Sequence, residues 1–475
     1  MGSNLLLVPP RIAPPLDPGY RPAYLGNRAF EEAAKKSRKA VKMVFALEAA
    51  AGAVTRFETV AFPPGHPQAA ENLPYAERIV KFLLWSRGGW KVSVAGPREV
   101  ADQLRATYGA GGARAFDGEF MAKVYERPAF VVKHATLAAL PKVKDTAAPV
   151  GGHLDGCRIG FDAGGSDRKV AAVIDGKEVF ATETVWEPKT NADPQYHFDG
   201  IDDSIRQAAA HLPRIDAIGV SSAGIIINNR CMAALLFKSV PPDQFEKRIK
   251  SVYVDIARKW GDVPIEAAND GDVTALAGAL SLKANQVLGI AMGTSQAGGY
   301  VDRRGYITGW LNELAWVPVD YSESAPQDLE WSKDYGIGGL YFSQDAVIRL
   351  APKLGFAFAD GATPGGKLKA VQEAFAKGDR RIAAIFESIG VYMGYAVLQY
   401  ARFYALKHVL LLGRVTSGEG GEILLAAARK VMKTEDPKAA KAIKLHLPDE
   451  ATRRVGQAIA AASLPEIRRR KKARR

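Results

Sequence analysis

Short apolar runs and longer amphipathic stretches alternate along this chain. Apolar residues three and four apart predict helices over 75–90, 97–109, 200–212, 241–261, 272–282, 366–377, 380–406, 418–433 and 449–462. The stretch 29–52, AFEEAAKKSRKAVKMVFALEAAAG, also reads as helical. Apolar runs bounded by turn residues predict strands at VTRFETVAF, KVSVAGP, CRIGFDAG, KVAAVID, KEVFATETVW, IDAIGVSSAG, PIEAAND, NQVLGIAMG, GGYVDRRGYIT and HVLLLGR. Strands that alternate with helices predict an α/β protein. Two regions, 158–174 and 286–307, each open with a strand, a glycine turn and a second strand, which hints at an internal duplication.

At 475 residues the chain exceeds one ordinary core, so several domains are expected. A proline-rich arm, 1–25, begins an α/β accessory domain that extends to residue 150. PKVKDTAAPVGGH, Pro141 to His153, has linker composition and closes it. Two lobes are expected next, 151–275 and 276–448, with a helix at 449–464 returning to the first. A basic tail, 465–475, ends the chain.

Composition is that of an ordinary globular protein, 47% apolar and 24% charged. No apolar run approaches the roughly 18 residues that suggest a membrane span, and the start lacks the pattern of a signal peptide. Cys157 and Cys231 are read as reduced thiols, which with these features implies a cytoplasmic protein. The segment RRRKKARR, Arg468 to Arg475, contributes seven of the net +13 charges and reads as a solvated terminus. No zinc-finger spacing or helix-turn-helix supports a nucleic-acid partner.

Three glycine turns carry the candidate chemistry. In IGFDAGGSDRKVAAV a strand ends on Asp162, turns at Gly164-Gly165-Ser166 and resumes beyond Lys169. This is either a plain hairpin or a phosphate loop, in which backbone N–H groups, a hydroxyl and a cation face an anion. In LGIAMGTSQAGGY, Gly293-Thr294 follows an apolar strand and offers the same donors. In HVLLLGRVTSGEGGEILL, Gly413, Ser417 and Gly418 separate an apolar strand from a helix, whose amino terminus favours anions. Between the first two lies PIEAANDGDVTALAGA, where Asn269-Asp270 joins a strand to a helix. There Asp270 or Asp272 caps the helix, or Asp270 is a general base with Asn269 binding the same substrate.

The order of these motifs resembles that of the ROK sugar kinases, in the actin/hexokinase/Hsp70 ATPase superfamily, from about Arg158 to Leu464. Asp162 through Lys169 looks like their first phosphate motif, Asn269-Asp270 like their catalytic pair, Gly293-Thr294 like their second phosphate motif, and Gly413 to Gly418 like their adenosine motif. The resemblance implies two ribonuclease-H-like lobes with MgATP in the cleft between them. It implies Asp270 as the base for a sugar hydroxyl, and Asp162 as holding Mg²⁺ directly or through water. Gly164, Gly165, Ser166, Lys169, Gly293, Thr294, Gly413, Ser417 and Gly418 would bind ATP, and Asn269 and Glu313 the sugar. Many relatives of this fold are homodimers.

The match departs at Asn312-Glu313-Leu314-Ala315-Trp316, where Trp316 stands in place of the family's histidine. The cysteine-rich zinc loop expected next is absent, so no zinc site is predicted. Of Trp310, Trp316 and Trp331, at least two are expected to pack and not to touch a sugar. The implied activity is ATP-dependent phosphorylation of a sugar-like hydroxyl. The alternative is a sensor that binds nucleotide or sugar without turnover.

Overall fold

A computed structural model describes residues 4–145, 149–448 and 456–467. Residues 468–475 of the basic tail and the first half of the predicted 449–462 helix, 449–455, lie outside these residues. The chain forms two compact units. One comprises Met1–Thr146, Ile290–Gly298 and Trp310–Leu447; the other comprises Ala147–Gly289, Gly299–Gly309 and Pro448–Arg475.

The first unit opens with the arm and the helix Ala23–Lys36. Beyond it the predicted helix over 29–52 is wrong in its second half. Arg38 takes a left-handed φ of 55°, and the chain leaves as strand β1, Val41–Glu48. Met43 to Leu47 are all buried, because β1 pairs antiparallel on both sides, with β2, Val54–Ala61, and β3, Lys91–Ala95. An apolar run of that kind does not reveal by spacing whether it is strand or helix. β4, Val131–His134, lies parallel to β3, giving the order β2-β1-β3-β4.

In the second unit, β5, Cys157–Ala163, β6, Asp167–Ile174, and β7, Lys177–Val185, form an antiparallel meander. β8, Ala217–Ser222, lies parallel to β5 on its other side. A small hairpin follows, β9, Ile225–Ile227, and β10, Arg230–Ala233. β11, Ile265–Asn269, runs parallel to β8 and completes the order β11-β8-β5-β6-β7. Alternate strand residues serve two faces. Ile159, Phe161, Ile218 and Val220 pack with Ile201, Ile205, Tyr253 and Ile256 from helices Pro194–Ala209 and Val252–Lys259. On the other face Gly160 and Gly219 admit the alanine-rich helix Gln457–Ala462 against the bare sheet. The helix predicted over 241–261 breaks at Lys250–Ser251, where the Lys250 carbonyl accepts from the Cys231 N–H.

A further sheet has the order β13-β12-β14-β15, from β12, Val287–Met292, β13, Gln296–Val301, β14, His408–Leu412, and β15, Lys444–His446. It repeats the strand order 2-1-4-5 of the second unit's sheet, with only an isolated bridge, Val301 to Ile307, where a third strand would stand. This regularity agrees with the duplication hinted at by the two glycine-turn hairpins. In the first unit the helices Ala383–Tyr400 and Glu419–Glu435 pack closely through Gly390 and Gly394. The stretch Arg380–Tyr400 is long and apolar enough by composition to cross a membrane, which the sequence reading did not grant. Its most apolar 18 residues are 83% buried within the protein, as expected of a core helix.

Candidate functional site

In the second unit the parallel strands β5, β8 and β11 end level with one another. Asp162 stands opposite Ser221, Ala163 opposite Ser222, and Ser222 opposite Asn269. Ligands of open α/β sheets bind beyond such carboxyl ends. Asp162 is buried, and loss of hydration lifts its carboxyl to about 6. A hydrogen bond from Ser221 opposes that rise, and the charge of Asp270 adds to it.

Asn269 settles which residue caps the helix Asp270–Leu282. Its Oδ1 accepts from the Gly271 N–H at 2.8 Å, while its Nδ2 donates to the Gly224 carbonyl at 2.8 Å. Both ends of this amide are therefore engaged by protein. Asp272 is buried and accepts from the Tyr300 N–H at 3.1 Å. Asp270 is half-buried, and its Oδ1 accepts from the adjoining Gly271 N–H at 2.9 Å. Burial raises its carboxyl above the ordinary range. Gln457 ties this corner together, donating to Ser221 Oγ at 2.9 Å and to the Asp270 carbonyl at 3.1 Å. Ser221 and Gln457 were not singled out from the sequence. Serines at a strand end carry no signal of their own, and Gln457 lies 187 positions from Asp270.

The first glycine turn, Gly164-Gly165-Ser166, joins β5 to β6. Trp186 Nε1 donates to the Gly164 carbonyl at 2.8 Å, and Ser166 Oγ bonds Asp167 at 3.1 Å. Lys169 does not face this turn unpaired; its Nζ is held by Asp167 at 2.6 Å. Another cation adjoins the turn. A Cβ on Gly165 would stand 2.9 Å from Lys189 Nζ, and Lys189 makes no ion pair among the described residues.

In the first unit the other two turns adjoin. Gly413, with a φ of 99°, lies so near β12 that a Cβ there would come within 2.4 Å of the Met292 carbonyl. Arg414 reaches from one turn to the other, its guanidinium 3.4 Å from Thr294 Oγ1. The Gly293-Thr294 turn thus meets Gly413 and Arg414 at the ends of neighbouring strands, and Ser417 and Gly418 follow beyond the short helix Arg414–Thr416. The helix Glu419–Glu435 begins there with Gly418 at its cap position and no side-chain cap. Arg414 was also not singled out from the sequence.

Glu313 is half-buried in the same unit, and its N–H donates to the Trp85 carbonyl at 2.9 Å. Trp316 stacks on Trp85 with ring centroids 5.0 Å apart, and Arg87 covers Trp310 at 3.4 Å. These two tryptophans pack, as expected, while Trp331 remains 43% exposed. Both cysteines are buried and free.

Neither a family model nor a curated protein matches the sequence. Solved structures do match the fold. A ROK hexokinase from Thermus thermophilus aligns with a TM-score of 0.50 at 16% identity, over 65% of this chain and 97% of its own. A ROK family transcriptional regulator, described as a homolog of the E. coli MLC protein, aligns with a TM-score of 0.52 at 17% identity, over 72% and 83%. The chain has the mixed α/β fold of ROK proteins.

Proposed function

We propose that this protein is an ATP-dependent phosphotransferase acting on a hydroxyl of a sugar or sugar-like acceptor. The observation that carries this reading is that Asn269 takes over helix capping and leaves Asp270, a carboxylate raised by burial, within electrostatic reach of Asp162 across the carboxyl ends of parallel strands. Asp270 accepts the acceptor's hydroxyl proton as the oxygen attacks the γ-phosphorus. Asn269 fixes the backbone that presents it. The candidate phosphate donors are, in the second unit, the backbone N–H groups of Gly164 and Gly165 with the Ser166 hydroxyl and, in the first unit, the hydroxyls of Thr294 and Ser417 with the Gly413 turn; the Gly293 N–H itself is taken by the Ser295 carbonyl. The uncapped helix start at Gly418 favours its negative charge.

Asp162 and Ser221 are hard oxygen donors of the kind Mg²⁺ takes. The described residues contain no group of three or more His, Cys, Asp or Glu able to hold a metal. That suits an ion held by one or two carboxylates together with substrate phosphates. Bound there, Mg²⁺ neutralises charge on the β- and γ-phosphates.

The test is ADP release by purified protein across hexoses, amino sugars and polyols. Acceptor-dependent release supports a kinase. The match to a regulator favours one second reading, a sensor that binds nucleotide or sugar without turnover. ATP binding with no release by any acceptor would support that reading.

Two predictions follow from the local geometry. Because Lys169 is committed to Asp167, Lys189→Ala should raise the KM for ATP about tenfold, since a hydrogen bond to a charged group contributes roughly 1.5–3 kcal/mol. Lys169→Ala should change it less; steady-state kinetics with ATP varied checks both. The second concerns pH. The base works only when ionised, and Asp162 also acts as an anion. Burial lifts both carboxyls, Asp162 to about 6, so kcat/KM should fall as pH drops through about 6. Carboxylates with ordinary values would hold activity to near pH 4, and a profile flat from pH 7 to 5 would contradict the reading.

A further inference from the structure

One helix of the accessory region, Asn72–Arg87, grips the segment that carries Glu313 at both its ends. At its carboxyl end, the Trp85 and Ser86 carbonyls accept from the N–H groups of Glu313, at 2.9 Å, and Asn312, at 3.1 Å. Carbonyls in the last turn of a helix have no partner within it, so these bonds fulfil a need of the helix and fix the segment together. One to two turns earlier, the same helix presents Arg78 and Lys81. Both bind the buried carboxylate of Asp334, at 3.1 Å and 3.0 Å, and Arg114, at the cap position of the helix Ala115–Val124, binds it at 2.6 Å.

The cluster is closed and balanced. Glu77 pairs with Arg78 at 3.1 Å and Arg114 at 2.5 Å, and Asp117 pairs with Lys81 at 3.0 Å and accepts from Trp85 Nε1 at 2.7 Å. Three cations thus face three carboxylates. Asp334 in turn closes the loop before it, its carbonyl accepting from the Asp328 N–H at 2.8 Å. Trp316, between the two grips, lies on Trp85. A buried ion cluster is a poor source of net stability, because desolvation offsets much of the attraction. Its hydrogen-bond geometry nevertheless defines one position for the segment it holds.

We propose that the accessory region is a built-in clamp for the acceptor-binding segment, with Asp334, Arg78, Lys81 and Arg114 as positioning residues that set acceptor affinity through Glu313. This rests on the kinase reading for the identity of the ligand, but not for the clamp itself. The residues 1–145 are then part of the phosphotransferase unit, and their removal would leave residues 312–338 without their backing.

The test is the full-length Lys81→Met/Asp334→Asn double variant, which removes one cation and one anion and keeps the cluster balanced. Amide exchange is measured without ligand, and kinetics with the panel sugar that the wild type turns over fastest. Exchange at residues 312–338 should quicken at least about tenfold, with Ala383–Tyr400 unchanged. The acceptor KM should rise by about 10- to 100-fold, the scale set by small misplacements of a binding group, while the KM for ATP stays within about twofold. Unchanged exchange overturns the clamp, and quickened exchange with an unchanged acceptor KM overturns its role in acceptor affinity. If the double variant fails to fold, Arg114→Lys is put through the same measurements, with about threefold expected in each readout and no change counting against the proposal. If no panel sugar is turned over by the wild type, the kinase reading fails and exchange alone decides the clamp.

Discussion

Replacing Asp270 with Asn should lower turnover by about 10²–10⁴-fold, the usual worth of a positioned base, while ATP still binds. The substitution keeps size and shape and removes the negative charge, and with it the ability to take a proton. It should also fold well. The helix cap is Asn269, and the hydrogen bond that Asp270 Oδ1 accepts from the Gly271 N–H can be kept by an amide oxygen. Calorimetric titration with ATP and a steady-state assay on the same preparation separate the two effects. Loss of binding together with turnover would mean that Asp270 is structural. Full activity would mean that another group accepts the proton.

The second large effect is expected within the sheet, behind the strand ends that carry Asp162 and Ser221. Gly219→Ala should destabilise the second unit and disturb the corner around Asp270. A Cβ at this position would stand 1.6 Å from the Ala461 carbonyl, and one at Gly160 would stand 1.7 Å from that of Ala458. Both obstacles are backbone, so no side chain can swing aside. Extra carbon forced into a packed interior costs roughly 1–3 kcal/mol, and here the lower figure is a floor because the helix itself must move. At about 2–4 °C per kcal/mol for a body of this size, the melting midpoint should drop by several degrees. Displacing the helix Gln457–Ala462 also pulls Gln457 from Ser221 and from the Asp270 carbonyl. Activity measured well below the new midpoint should therefore fall too. A variant with lowered midpoint and unchanged kcat would separate this helix from the site.

Most of the longer strands were legible in the sequence because their apolar runs are short and bounded by Gly, Asp or Pro. The three- and four-residue strands β4, β9, β10 and β15 were not read, and neither was β1. Its five consecutive buried residues lie at the centre of a sheet, and such a run shows no alternation. The three glycine turns and Asn269-Asp270 were visible as local motifs. What each polar group does there depended on neighbours that the sequence does not display. Asn269 proved to be the cap, and Lys169 proved to be held by Asp167, two residues away, while Lys189 approaches Gly165 from beyond β7. The backing of Glu313 was invisible for a related reason. Asp334 and Arg78 lie 256 positions apart, and nothing in either local pattern points to the other. Trp316, read as a departure from a family pattern, finds its explanation in Trp85.

The most direct measurement follows the γ-phosphoryl group itself by ³¹P nuclear magnetic resonance, with ATP, Mg²⁺ and the panel of acceptors. The account predicts a phosphate monoester of one acceptor, formed in step with ADP and absent for Asp270→Asn. Inorganic phosphate as the sole product, at a rate indifferent to the acceptor, would contradict it.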